Sequence, residues 1–217
     1  MKQKAVQAPI DDRLLNTAID QFGRQGLEGA STRAIAAAAK TAMSSITYHY
    51  GGKEGLYRAA AQYIGAQIAA RFASVLAETR EPRKLEPVAA QEAVVALADR
   101  FLSMMLSAES APWARFIVRE QMEPTAAFEV LWGEFMQRLS EHLVQLVLRA
   151  GHGRWGHAEA RVRAVALIGQ VLVFRVSRAT ALRVTGWQDI GPAQAAEIRR
   201  VVHAHVRAIL CAEGTPP

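Results

Sequence analysis

Cysteine occurs once, at Cys211, in a chain of 217 residues. An intrachain disulfide and a cysteine-cluster metal site are therefore both excluded. The lone thiol falls on what reads as the last helix, where a small apolar filler is expected. Glycine and proline are sparse, with 15 and 8 residues, which excludes collagen-like and low-complexity chains. Long hydrophobic runs are missing too. The longest, Ala164–Phe174, is interrupted by Gln170 and falls far short of the roughly 20 residues a spanning helix needs. The opening MKQKAVQAPIDDR has no apolar signal-peptide core, and residues 1–10 read as a short basic tail. A cytoplasmic protein with no membrane partner is expected.

Acidic residues are in deficit, 20 against 26 lysines and arginines, for a formal charge of +6. That balance favours an anionic partner, but charge alone leaves nucleic acid, a membrane surface and an acidic ligand open. Enzyme signatures are missing. GGKEG (51–55) lacks the spacing of a phosphate loop, and no G-x-S-x-G occurs. His203 and His205 are two apart and point away from each other on a helix. Neither that pair nor His152 with His157 is expected to hold a metal. No catalytic residue and no cofactor are expected.

Apolar residues make up 51% of the chain, and their helical periodicity nearly everywhere predicts an all-α fold. A first helix begins at Asp11 or Asp12, buries Leu14, Leu15, Ala18, Ile19 and Phe22, and meets a natural stop at Gly26. A short helix from Ser31–Thr32, a three-residue turn (40–42) and another short helix (43–50) follow. Gly51-Gly52 break the latter, and Lys53 opens a long helix to about Glu78 with Leu56, Ala60, Ile64, Ile68 and Phe72 on one side. TREPRKLEP (79–87) reads as a loop, and further helices are expected near 88–107, 112–122, 125–150, 157–183 and 192–212.

Two short helices joined by a tight turn, with alanines at the crossing, describe a helix-turn-helix. At 100° per residue, Met43, Ile46 and Tyr50 share the inner face of the second helix, with Ile35, Ala36 and Ala39 facing it. Ser44 and Tyr48 point outward, flanked by Ser45 and Thr47. That outward face is uncharged and rich in hydroxyls, suited to base edges and phosphates.

STRAIAAAAKTAMSSITYHYGGKEGLY (31–57) resembles the helix-turn-helix of TetR/AcrR-type transcriptional regulators, and FGRQG (22–26) before it also fits. FIVREQMEPTAAFEVLW (116–132) and ALIGQVLVFRVSRATALRVTGW (166–187) resemble the CecR (YbiH)-like branch, so the likeness covers nearly the whole chain. The resemblance implies that Thr32 and Arg33 contact phosphate. It places Ser44, Ser45, Thr47, Tyr48 and His49 in the major groove, and has Lys53 hold the DNA backbone. Two positions depart from the family pattern. Lys40 stands where the turn usually has glycine, at a cost of about 1 kcal/mol if φ is positive there. Thr47 replaces the more usual tyrosine.

The expected organisation is thus a helix-turn-helix domain over 11–56, a connecting helix over 53–79 and a helical ligand-binding and dimerisation domain over 85–217. Val162–Val176 is apolar all round, and the last helix carries Ile198, Val201, Val202, Val206, Ile209 and Leu210. Such helices must be covered on both sides, by a homodimer partner as the resemblance implies or by a wholly intrachain core. Met104, Met105, Trp113, Phe116, Phe128, Trp132 and Phe135 fall on inward stripes, as pocket wall or as plain core. Arg119, Glu120, Gln170 and Arg175 lie within or beside apolar helices; they would orient an effector or form structural pairs. The candidate effector site is Trp113, Phe116, Arg119, Glu120, Trp132, Gln170 and Arg175, suited to a small apolar or aromatic compound with a polar group.

The expected function is a ligand-responsive repressor that binds a palindromic double-stranded operator as a dimer. A helical carrier or enzyme without sequence-specific DNA binding is the alternative. A partner-binding adaptor is a second.

Overall fold

The structure, a computed structural model, describes residues 9–211, with side chains from residue 12 onward. The first eight residues of the expected basic tail lie outside the described residues. Every regular element among the described residues is helical. In order they are α1 (Pro9–Gly29), α2 (Thr32–Ala38), α3 (Met43–Tyr50), α4 (Lys53–Glu78), α5 (Pro87–Leu106) and α6 (Ala111–Met122), then α7 (Ala126–Leu131), α8 (Gln137–Ala150), α9 (His157–Val176), α10 (Arg178–Thr185) and α11 (Pro192–Cys211). A 3₁₀ turn, Pro82–Lys84, lies between α4 and α5, and a π-helical turn, Trp132–Met136, joins α7 to α8. The chain divides into two compact units: one holds residues up to Ile68 with Pro112–Phe135, the other Ala69–Ala111 and everything from Met136 on.

In the first unit the predicted stripes are inside. Leu14, Leu15, Ala18, Ile19 and Phe22 of α1 are buried, as are Leu56, Ala60, Ile64 and Ile68 of α4. Gly26, with φ 74° and ψ 178°, breaks α1 at the expected stop, and a short second helical stretch follows to Gly29. A side chain at Gly26 would also meet the Arg119 guanidinium, whose Nη1 lies 3.0 Å from an ideal Cβ. The positive φ favours glycine here.

Helix α6 is fastened to α1 and α4 by aromatic and polar contacts. The Tyr57 ring packs edge-on to Phe22 at 4.8 Å and against Phe116 at 4.7 Å between centroids. Glu120, 1% exposed, accepts a hydrogen bond from the Tyr57 hydroxyl at 2.5 Å on Oε1. Its Oε2 accepts from the Thr125 amide at 3.1 Å and hydroxyl at 2.8 Å. Burial, then this bond, hold the Tyr57 phenol well above its ordinary range. Arg115 pairs with Asp20 at 2.5 Å, and Arg119 Nη2 donates to the Arg24 carbonyl at 3.4 Å. Arg119 and Glu120 therefore turn to different partners, and Glu120 forms structural hydrogen bonds.

In the second unit α5 packs against α8, α9 and α11, and α8 against α9. Leu97, Leu102, Leu146, Val171, Val202 and Leu210 are among the buried residues. The helix expected over 157–183 breaks at Ser177 (φ −107°, ψ 33°), where α9 and α10 meet at a bend of 82°. Arg175 donates to the Ser107 carbonyl and Arg178 pairs with Asp189, so the two sides of the break are anchored in different places. Cys211 is exposed, not a filler of the core. No single described helix is long and apolar enough to cross a membrane.

His142 lies in this unit with Nε2 2.7 Å from Thr79 Oγ1, which also lies 2.9 Å from the Val75 carbonyl. Burial, with the Arg138 charge adding to it, lowers the His142 pKa from its ordinary 6.5. The unfolded chain thus binds the extra proton first, and stability is fully present above that value and lost as pH falls below it. Chemical denaturation from pH 7.5 to pH 5 is expected to show this loss, and His142→Gln to flatten it. An unchanged slope in the variant would show that the titration lies elsewhere.

Candidate nucleic-acid interface

The turn between α2 and α3 is built by the backbone. Ser31 caps α2, its Oγ accepting from the Ala34 amide at 3.4 Å. At the other end the Lys40 amide reaches the Ala37 carbonyl at 3.1 Å and the Thr41 amide reaches the Ala36 carbonyl at 3.0 Å. This is the two-bond pattern of a Schellman stop, which places its residue in the left-handed region. Lys40 occupies that place with φ 52°. The lysine therefore carries the cost of about 1 kcal/mol that glycine would avoid.

Sequence periodicity missed a staple across this turn. Arg13 of α1 donates through Nε to the Ala39 carbonyl at 2.7 Å and through Nη2 to the Lys40 carbonyl at 3.5 Å. It satisfies carbonyls at the end of α2 that no later amide can reach. An arginine one position before a buried Leu-Leu pair was the only signal, and the acceptors lie more than 20 residues away.

Helix α3 ends at Gly51, in the left-handed conformation with φ 74°. Ile46 is fully buried and Tyr50 half-buried, and Ile35, Ala36 and Ala39 of α2 are buried. Ser44, Thr47, Tyr48 and His49 are exposed, Tyr48 at 85%, while Ser45 is half-buried. Met43 departs from the expected inner face: its side chain is 50% exposed. At 100° per residue it lies at the edge of the inner stripe, one helical turn before Thr47. The Tyr48 and His49 rings meet edge to face at 4.9 Å.

Of the residues expected at phosphate, Arg33 is exposed and Thr32 half-buried at the start of α2. Lys53 is half-buried and donates from Nζ to the Glu28 carbonyl at 2.8 Å, tying the start of α4 to the end of α1. An ammonium has three donors, so this bond leaves others free to meet an anion.

The candidate effector residues are distributed over both units. Trp113, Phe116 and Glu120 are buried in the first, with Arg119 beside them, while Trp132 is 41% exposed and stacks on Phe128 at 6.4 Å. Trp132 therefore does not continue the buried stripe. Gln170 and Arg175 belong to the second unit. Among the described residues no group of three or more His, Cys, Asp or Glu side chains is placed to hold a metal.

The helix-turn-helix agrees with what the chain is similar to. Residues 14–60 match the family model described as bacterial regulatory proteins, tetR family. Residues 90–212 match that of the HTH-type transcriptional dual regulator CecR, C-terminal domain. The HTH-type transcriptional dual regulator CecR of Shigella flexneri is 31% identical over 207 residues, 91% of this chain and 90% of that protein. Among solved structures, a TetR-family transcriptional regulator from Mesorhizobium loti superposes with a TM-score of 0.65 at 18% identity, over 98% of this chain and 100% of that one. AibR, in complex with isovaleryl coenzyme A and operator DNA, does so with a TM-score of 0.65 at 17% identity, over 90% of this chain and 97% of that one. The chain is a member of the TetR family of DNA-binding transcriptional regulators, with a C-terminal domain of the CecR type.

Proposed function

We propose that this protein is a dimeric, ligand-released repressor acting in the cytoplasm, with α3 as its reading helix on a palindromic operator. The observation that carries the reading is the outward face of α3, where Ser44, Thr47, Tyr48 and His49 stand free of the subunit core. Ser45 completes the face, and Thr32, Arg33 and Lys53 flank it as phosphate contacts. In domain terms, 11–56 reads DNA, 53–79 connects and 85–217 binds effector and partner.

The test separates base contacts from phosphate contacts. Genomic fragments retained by the protein would supply the operator. Tyr48→Ala or Thr47→Ala is then expected to weaken that operator by about 1–3 kcal/mol, leaving nonspecific binding nearly intact. Arg33→Ala is expected to weaken all sequences and to reduce the salt slope by about one. Unchanged operator affinity in Tyr48→Ala would remove α3 as the reader, and a carrier without specific DNA binding would then be the better reading.

The effector is proposed to be a small, largely apolar or aromatic compound bearing a polar group. Either the first unit's Trp113, Phe116, Arg119, Glu120 and Trp132 or the second unit's Gln170 and Arg175 would line its site. Gln170 Oε1 is buried and accepts no hydrogen bond among the described residues, which leaves it open to a ligand donor. AibR, which binds isovaleryl coenzyme A and operator DNA, sets a precedent for two ligands on this fold. Linkage requires operator to weaken effector binding by the factor with which effector weakens operator binding. Calorimetry with and without operator measures both factors, and an effector indifferent to operator would refute release as the mechanism. CecR's description as a dual regulator favours a second reading, in which the same protein activates some promoters.

A further inference from the structure

Helix α3 reads MSSITYHY and contains no arginine, lysine, asparagine, glutamine, aspartate or glutamate. Those are the side chains that pair with guanine, adenine or cytosine by well-directed hydrogen bonds in the major groove. The hydroxyls of Ser44, Ser45, Thr47 and Tyr48 and the His49 imidazole remain, each able to donate and to accept. Beside them the face carries one further, apolar determinant. Met43 is the first residue of the helix, the end that lies deepest among base edges in helix-turn-helix complexes. Half of its side chain is exposed, although it is the largest purely apolar side chain on the element after Ile46 has been buried. Thr47 stands one turn further along on the same face, also exposed, and carries a methyl group.

The major groove displays one apolar group, the C5-methyl of thymine. We infer that Met43, with the Thr47 methyl, reads thymine methyl groups, so that the operator half-site owes its central preference to apolar contact at A·T pairs. The inference rests on the reading of α3 as the DNA-contacting helix. It adds Met43 to the specificity-determining residues and names the chemical group recognised. A thioether suits the task, being long, flexible and polarizable, and it adapts to a methyl whose position varies with groove shape.

Uracil differs from thymine only by lacking that methyl. The test therefore uses the retained operator with deoxyuridine replacing thymine one position at a time, titrated against the full-length protein. One or two substitutions per half-site are expected to weaken binding roughly fourfold, the worth of one buried methyl group. In Met43→Ala the same substitution should have little effect, and 5-methylcytosine offered at a neighbouring step should lose any advantage it gives the wild type. Met43→Ser provides a second, equally exposed variant. Binding indifferent to every thymine methyl would overturn the inference while leaving α3 as the reader. Sensitivity that persists in both Met43 variants would overturn it as well. If no genomic fragment is preferred over any other, both the inference and the DNA-reading assignment fall together.

Discussion

Val165→Asp is expected to give a folded monomer that no longer holds operator DNA. Val162, Val165, Val173 and Val176 of α9 are exposed at 69%, 69%, 44% and 53%. Ala166 and Gly169 are exposed beside them. At 100° per residue these six positions fall within an arc of about 100°, a continuous apolar stripe along one side of the helix. The opposite side, with Ala160, Ala164, Leu167 and Val171, is buried in the subunit. The sequence expectation of a helix covered on both sides thus resolves into one side covered by its own chain and one side open. A second copy of the chain, as the family reading proposes, is what would cover it. In a two-fold contact each substitution appears twice, and an uncompensated buried charge costs several kcal/mol per ion. Dissociation should therefore increase by a factor on the order of a thousand or more. Because Val165 lies outside the subunit core, helical content and melting of the monomer should change little. Sedimentation separates monomer from dimer, and gel shift reads operator binding. A Val165→Asp dimer with wild-type operator affinity would assign the stripe to another partner.

Glu120→Ala is expected to destabilise the protein by about 2–4 kcal/mol. It strands the buried Tyr57 hydroxyl, removes the acceptor that holds the Thr125 amide and hydroxyl, and opens a void beside Phe116. Thr125 also caps α7, its Oγ1 accepting from the Ala127 amide at 3.1 Å, so the loss spreads into the next helix. Glu120→Gln offers a control. Its carbonyl can still accept from Tyr57, but its amide nitrogen then faces donors, so a smaller loss is expected. Denaturant titration compares them. Equal, near-zero changes in both would mean that the network contributes nothing beyond what water supplies to the unfolded chain.

Single apolar faces were legible in the sequence. The stripes of α1, α2 and α4 follow from spacing alone, because each helix has one apolar side and one partner direction. The outward set on α3 was legible for the same reason. Met43 was not, since it lies at the margin of the stripe, where a small rotation decides between inside and outside. Gly26 was legible as the break in α1, whereas the Arg119 guanidinium that lies against it arrives from a helix some 90 positions later. Glu120 and Tyr57 are separated by 63 positions, and no periodicity links them. Ser177 interrupts the run expected over 157–183, and Arg175 and Arg178 on either side of it bond to Ser107 and Asp189. Contacts between residues far apart in the chain, such as Tyr57 with Glu120, have no direct record in a single sequence.

The first compact unit is assembled from two stretches separated by Ala69–Ala111, and this has a consequence for biosynthesis. The DNA-reading end of the chain leaves the ribosome early, yet Tyr57 cannot find Phe116 and Glu120 until α6 has been made. Until then the α1–α4 segment displays a bare aromatic patch in place of a finished surface. The nascent reading head should therefore consolidate late, after the intervening helix has emerged. A gene fragment ending near residue 60, where the tetR-family match stops, would encode a reading head permanently caught at that earlier stage.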